Sequence, residues 1–196
     1  MIEKLLLGTG NPKKVEHYKE FLRDFKGEIF SVKDLAILEP VEDAATLEEN
    51  AVAKAKYYFQ KAGFPALADD GGFEIPALNN FPGVKSKRFA GKDLTDQETI
   101  EEILKRMRGL VGEQRKARFR VVVALAQSPY VVHTASGVIE GVVPEKPYEK
   151  IMPHFPYRSL LFVTAMNKWF YEVTEEEEER LGYRKAAVER LKKFLF

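Results

Sequence analysis

The chain has 196 residues, 45% of them hydrophobic, with 31 Lys plus Arg against 30 Asp plus Glu for a net charge of +1. That is enough apolar material for one domain over residues 1–196, with room for a smaller lobe inside it, and the charge balance argues against a nucleic-acid or membrane partner. The absence of cysteine excludes disulfides, thiolate catalysis and cysteine zinc sites, and three histidines argue against a His-rich metal cluster.

In chain order, "IEKLLL" reads as a strand and "GTGNPKK" as a loop opening a helix, with Val15, Tyr18, Leu22 and Phe25 at helical spacing. "GEIFSV" reads as a second strand. Thr46 and Glu49 form a capping box that opens an Ala-rich helix ending near Ala62. The "PALA" strand follows and stops at Asp69-Asp70. Thr95 and Asp96 cap a helix running to about Leu110. "ARFRVVVALAQ" and "YVVHTASGVIEGVV" read as long strands joined at Ser128-Pro129, and Gly137 and Gly141 imply a bend or bulge in the second. "SLLFV" and "KWFYEV" read as further strands. Thr174 begins a last helix whose acidic start, Glu175 to Glu179, suits the helix dipole and reads as a mostly solvated face. Helices interleaved with strands imply an α/β fold around a long, mixed, twisted sheet with flanking helices. The start "MIEKLLLGTG" lacks the form of a secretory signal and no run approaches 18 apolar residues, which points to a cytoplasmic protein.

Two segments carry chemistry. In "GTGNPKK" a glycine-flanked turn leads into a helix start, so free backbone N–H groups and the positive end of the helix dipole suit a phosphate, with Lys13 and Lys14 adding charge. It has neither the Walker A nor the G-x-G-x-x-G spacing, and a plain helix-start turn with solvated lysines reads equally well. In "FPALADDGGFEIPAL" two adjacent carboxylates follow an apolar run. Asp-Asp-Gly-Gly would make a turn, or the pair could serve a phosphate site at the same sheet edge. Carboxylates beside phosphates usually share Mg²⁺, and a carboxylate there can orient or deprotonate the attacking water. Gly71 and Gly72 would let the backbone approach the phosphates.

Four segments together resemble the Ham1-like nucleoside triphosphate pyrophosphatases, also called inosine triphosphate pyrophosphatases. They are "TGNPKK" (9–14), "TLEENAVAKA" (46–55), "ALADDGGFEIPAL" (66–78) and "FPGVKSKRFAG" (81–91). They lie in the family's order and spacing, and the resemblance covers essentially the whole chain. It implies a cytoplasmic homodimer with two lobes around a central cleft. The implied activity is Mg²⁺-dependent hydrolysis of nucleoside triphosphates, with deaminated purines preferred, to monophosphate and pyrophosphate.

Carried over by position, Thr9, Gly10, Asn11, Pro12, Lys13 and Lys14 look like the triphosphate cradle. Asp70 looks like the general base and a metal ligand, with Asp69 beside it as the second catalytic carboxylate. Glu39 falls where the family places its other metal carboxylate, with Glu42 as a rival. Lys54 and Arg88 match basic positions lining the cleft, although Lys54 reads equally as a solvated helix lysine.

Base recognition departs from the family pattern. Where members have Phe-Gly-Tyr-Asp-Pro-x-Phe, this chain has "FPYRSLLF", so Phe155, Pro156, Tyr157 and Arg158 occupy the segment and Arg158 replaces the Asp. Ser-His-Arg becomes Gly182-Tyr183-Arg184, the family lysine falls on Glu178, and the Ser after the two Asp is Gly71. Arg158 and Glu178 thus exchange sign, and if they meet they invert the donor and acceptor pattern offered to a base. The family's base preference does not transfer. A related phosphoanhydride hydrolase, or a nucleotide-binding protein with little turnover, would use the same phosphate residues.

Overall fold

The structure, a computed structural model, describes residues 2–87 and 94–196. The chain divides into two compact units. One comprises Met1–Gly71, Val121–Gly137 and Gly182–Phe196, the other Gly72–Arg120 and Val138–Leu181.

The first unit begins with β1 (Lys4–Leu7), α1 (Pro12–Phe21), β2 (Glu28–Ser31) and α2 (Leu47–Ala62), and β1 runs parallel to β2. Leu5, Leu6 and Leu7 are all fully buried, as expected of a parallel strand covered on both faces. On one face Leu5, Leu7 and Leu67 pack with Tyr18 and Leu22 of the α1 segment and with Ala187, Val188 and Leu191 of α5 (Tyr183–Lys192). On the other, α2 is seated so closely that a Cβ at Gly8 would lie 2.4 Å from the Tyr58 ring.

Helix starts follow the expected chemistry. Asn11 caps α1, its side chain accepting from the amides of Lys13 and Lys14, and Pro12 fills the first turn. The Thr46–Glu49 capping box opens α2, and Gly63, at φ +77°, closes it. α1 stops at Phe21, short of the expected Phe25, although Leu22 and Phe25 remain buried.

The "PALA" strand does not stop at the two aspartates. As β3 (Ala66–Ile75) it carries on through Asp69, Asp70, Gly71 and Gly72, and β1 pairs with it in parallel. Its far end is held by antiparallel pairing with β4 (Phe81–Pro82). Gly72 permits this: a Cβ there would lie 2.3 Å from the Gly83 carbonyl oxygen.

The second unit contains that end of β3, β4, α3 (Asp96–Arg106), parts of β5 (Lys116–Ala126) and β6 (Val132–Val142), β7 (Phe162–Val163), β8 (Lys168–Trp169) and α4 (Glu175–Leu181). Phe73, Phe119, Tyr157 and Phe170 form its aromatic core, and the Tyr157 hydroxyl donates to the Ser86 carbonyl at 2.8 Å. Buried Glu74 is held by Arg118 Nε at 2.8 Å and Arg120 Nη1 at 3.2 Å, which compensates its desolvation. Among the described residues the strand order is β2-β1-β3-β5-β6-β7-β8, with β4 on β3, a mixed open sheet in an α/β fold.

Three further expectations are corrected. α3 ends at Arg106 rather than Leu110. "SLLFV" and "KWFYEV" each contribute only two strand residues, because local bonds such as Leu160 N–H to Tyr157 O and Val173 N–H to Phe170 O wind the flanks into 3₁₀ turns. The last helix is split at Gly182, whose φ of +62° separates α4 from α5.

Candidate functional site

The site is built in the first unit, just beyond the end of β1 and around Asp69 and Asp70 within β3. Beyond β1, Thr9 Oγ1 accepts from the Asn11 amide at 3.3 Å, while the Gly10 amide donates to Glu39 Oε1 at 3.2 Å. A Cβ at Gly10 would lie 2.9 Å from that oxygen. A pocket of about 340 Å³ lies beside this loop, lined by Thr9, Gly10, Pro12, Lys19 and Lys33 among others. The loop therefore presents a capped helix start with Lys13 exposed and Lys14 turned inward.

Why two carboxylates stand together is answered by strand geometry. Successive side chains on a strand point to opposite faces, so Asp69 and Asp70 are adjacent in sequence but separated by the sheet. Asp69 faces α1 and α5 and is 1% exposed. Lys14 Nζ donates to both its oxygens, at 3.0 and 2.9 Å, and Arg184 Nε lies 3.6 Å from Oδ2. Burial by itself would raise the carboxyl pKa, but these two cations outweigh it and hold the group well below the usual carboxylate range. For Lys14, burial and the nearby Arg184 win over Asp69, and its pKa is lowered. Tyr18 is buried on the same side, and burial first, then Asp69, pushes its hydroxyl well above the ordinary phenol range.

Asp70 faces α2. Asn50 Nδ2 donates to Oδ2 at 3.0 Å and the Gly71 amide donates to Oδ1 at 2.9 Å. Burial, with a smaller push from Glu42, raises its pKa against the Asn50 bond and Lys54. Lys54 bridges Glu42 Oε1 at 2.6 Å and the Asp69 carbonyl at 2.8 Å, and is not a solvated helix lysine. Glu42 is thereby engaged, whereas Glu39 is exposed and accepts the longer Gly10 amide bond. Among the described residues no group of three or more His, Cys, Asp or Glu could hold a metal ion.

Tyr183 and Arg184 open α5, and their position is fixed by close backbone approach: a Cβ at Gly137 would lie 1.7 Å from the Tyr183 carbonyl oxygen. Phe155, Pro156, Tyr157, Arg158 and Glu178 belong to the second unit. There Arg158 Nη1 donates to Glu178 Oε2 at 2.8 Å, Nη2 to the Val173 carbonyl at 2.8 Å, and the guanidinium lies 4.0 Å from the Phe170 ring centroid. The sign-exchanged pair does meet. Phe155 is exposed, while Pro156 and Tyr157 are buried in the 3₁₀ turn. Arg88 lies outside the described residues.

Sequence reasoning missed Asn50 and the contact role of Gly137. Asn50 was findable, because with Lys54 it is a polar pair at i, i+4 on the helix stripe otherwise formed by Leu47, Ala51, Ala55 and Tyr58. Gly137 was not, because its partner is 46 residues further along the chain.

A "dITP/XTP pyrophosphatase" of Thermus thermophilus is 41% identical over 188 residues, covering 96% of this chain and 89% of that protein. The protein of the same name from Bacillus subtilis is 32% identical, covering 100% and 98%. A solved HAM1 protein from Coxiella burnetii superposes with a TM-score of 0.85 at 31% identity, covering 100% and 98% of the two chains. The family model described as "Ham1 family" matches residues 5–194, and the chain belongs to that family.

Proposed function

We propose that this chain hydrolyses nucleoside triphosphates between the α and β phosphates, releasing monophosphate and pyrophosphate with the help of Mg²⁺. The substrate class includes the deaminated purine nucleotides for which the curated relatives are named, without the family's wide preference for them, because the Arg158–Glu178 exchange alters the base-recognition segment. The observation that carries the reading is the division of labour between two neighbouring carboxylates. Asp69 neutralises cations at the phosphate cradle, while Asp70, which among the described residues accepts from the neutral Asn50 and Gly71 donors and is pushed up in pKa by burial, is poised to take a proton from water. The names of the curated relatives support the same chemistry.

The described residues offer no cage of three or more acidic or His ligands, so the Asp70 and Glu39 carboxylates suit Mg²⁺ as the one or two protein oxygens it takes before substrate phosphates and water complete its shell. Asp70 and Glu39 would hold it, Glu42 being taken up by Lys54. When bound it supplies Lewis-acid polarisation and charge neutralisation at the phosphates. The residues do the rest: the α1 start with Lys14 receives phosphate charge, Asn50 and the Gly71 amide fix the Asp70 carboxylate, and Asp70 orients the attacking water.

In this reading the chain works as a cytoplasmic homodimer, as the family resemblance implies, and its near-neutral charge argues against a nucleic-acid partner. A pyrophosphate-release screen over common and deaminated triphosphates, with and without Mg²⁺, tests the proposal. Release that requires Mg²⁺ is expected, and no release from any triphosphate would overturn it.

A further inference from the structure

We infer that Asp69 is a positioning residue: its buried carboxylate clamps Lys14 and Arg184 together as a phosphate-binding pair, on the sheet face opposite Asp70, and takes no part in holding the metal. This rests on the proposed phosphoanhydride chemistry.

Both Asp69 oxygens are engaged by Lys14, one of them also faces Arg184, and the group is 1% exposed. A divalent cation bound there would have to displace the lysine and sit within a few ångströms of two positive charges. The ion's double charge doubles the Coulomb repulsion from each of them, which opposes binding at Asp69. Asp70 is less obstructed, since its hydrogen-bond donors are an amide side chain and a backbone amide and the nearby Lys54 ammonium is bonded to Glu42 and the Asp69 carbonyl rather than to the Asp70 carboxylate. The two carboxylates therefore sort by charge, an anion-binding side around Asp69 and a cation-binding side around Asp70.

Lys14 comes from the first turn of α1 and Arg184 from the first turn of α5, so without Asp69 two half-buried cations on separate helices would repel each other. With it, the cluster keeps a net charge of +1 next to the α1 start, where a phosphate is already favoured by backbone amides and dipole. Gly137 completes the arrangement by letting the α5 start lie against β6.

The test compares Asp69→Asn with Asp70→Asn in two assays: steady-state kinetics with Mg²⁺ titration, and calorimetric binding of pyrophosphate without metal. Asp69→Asn should raise KM for the triphosphate and Kd for pyrophosphate by about tenfold or more, the usual scale for a lost charge-assisted contact, while the Mg²⁺ half-saturation point stays put. Asp70→Asn should raise the Mg²⁺ requirement and lower kcat while leaving metal-free pyrophosphate affinity within about threefold. A raised Mg²⁺ requirement in Asp69→Asn, or unchanged pyrophosphate affinity, would overturn the assignment.

If Asp69→Asn fails to fold, the comparison moves to a Lys14→Met background, in which the added Asp69→Asn change completes removal of the Lys14–Asp69 ion pair. There the added Asp69→Asn change should cost less than about threefold in pyrophosphate affinity, and a full tenfold further loss would overturn the clamp. Should the wild-type protein release no pyrophosphate from any triphosphate, the proposed function fails, yet the metal-free binding arm still decides the role of Asp69.

Discussion

Asp69 and Asp70 differ by one position and by almost everything else, because the strand sends them to opposite faces. The depressed pKa of Asp69 ties folding stability to acid. Its folded value lies below the unfolded value of about 3.9, so the unfolded chain binds the proton more tightly. The stabilisation is present above about pH 4 and is lost as pH falls toward the depressed folded value. Thermal melts of wild type and Asp69→Asn should therefore converge between pH 6 and pH 2, and a gap that stays constant would contradict the ion cluster. Lys14→Ala should weaken triphosphate binding about tenfold or more yet leave a nucleoside without phosphates almost unaffected. Equal losses for both would remove Lys14 from the cradle. The residue types of this site were legible as short motifs, but their partners were not. Nothing in the local pattern says that the Lys14 ammonium reaches Asp69, 55 residues away.

At the scale of elements, caps and periodicity carried most of the information, since Asn11, Thr46 and Thr95 each begin the helix their chemistry implies. What periodicity could not show was contact-driven: β3 outruns its turn-like Asp-Asp-Gly-Gly because β4 pairs with it, and Gly137 answers to a helix backbone rather than to a bend. Gly137→Ala must push the α5 start away, at an overpacking cost of about 1–3 kcal/mol. A lowered Tm together with a raised KM for triphosphates is expected, and a variant with both unchanged would contradict the close approach. α4 buries no residue of its own and is tied down by Arg158–Glu178 at 2.8 Å and Lys168–Glu177 at 2.5 Å. Arg158→Met alone, which breaks the ion pair and sets an apolar side chain against the Glu178 carboxylate, should lower Tm more than the double change Arg158→Met with Glu178→Leu. Equal or additive losses in the double variant would show that the pair is only a surface contact.

Over the whole molecule, composition and strand–helix alternation indicated an α/β chain with a mixed sheet, and the four motifs in register indicated its family. The partition into two compact units was harder to read, because three of its boundaries fall inside β3, β5 and β6 and the fourth at Gly182, within what reads as a single last helix. The central claim is cleavage between the α and β phosphates with Asp70 activating water. Phosphorus NMR of inosine triphosphate turnover with Mg²⁺ tests it most directly, comparing wild type with Asp70→Asn. Equal amounts of monophosphate and pyrophosphate are expected, formed at least about 10²-fold more slowly by a correctly folded Asp70→Asn variant. Diphosphate with orthophosphate as the products, or an Asp70→Asn variant of near-wild-type rate, would contradict the account.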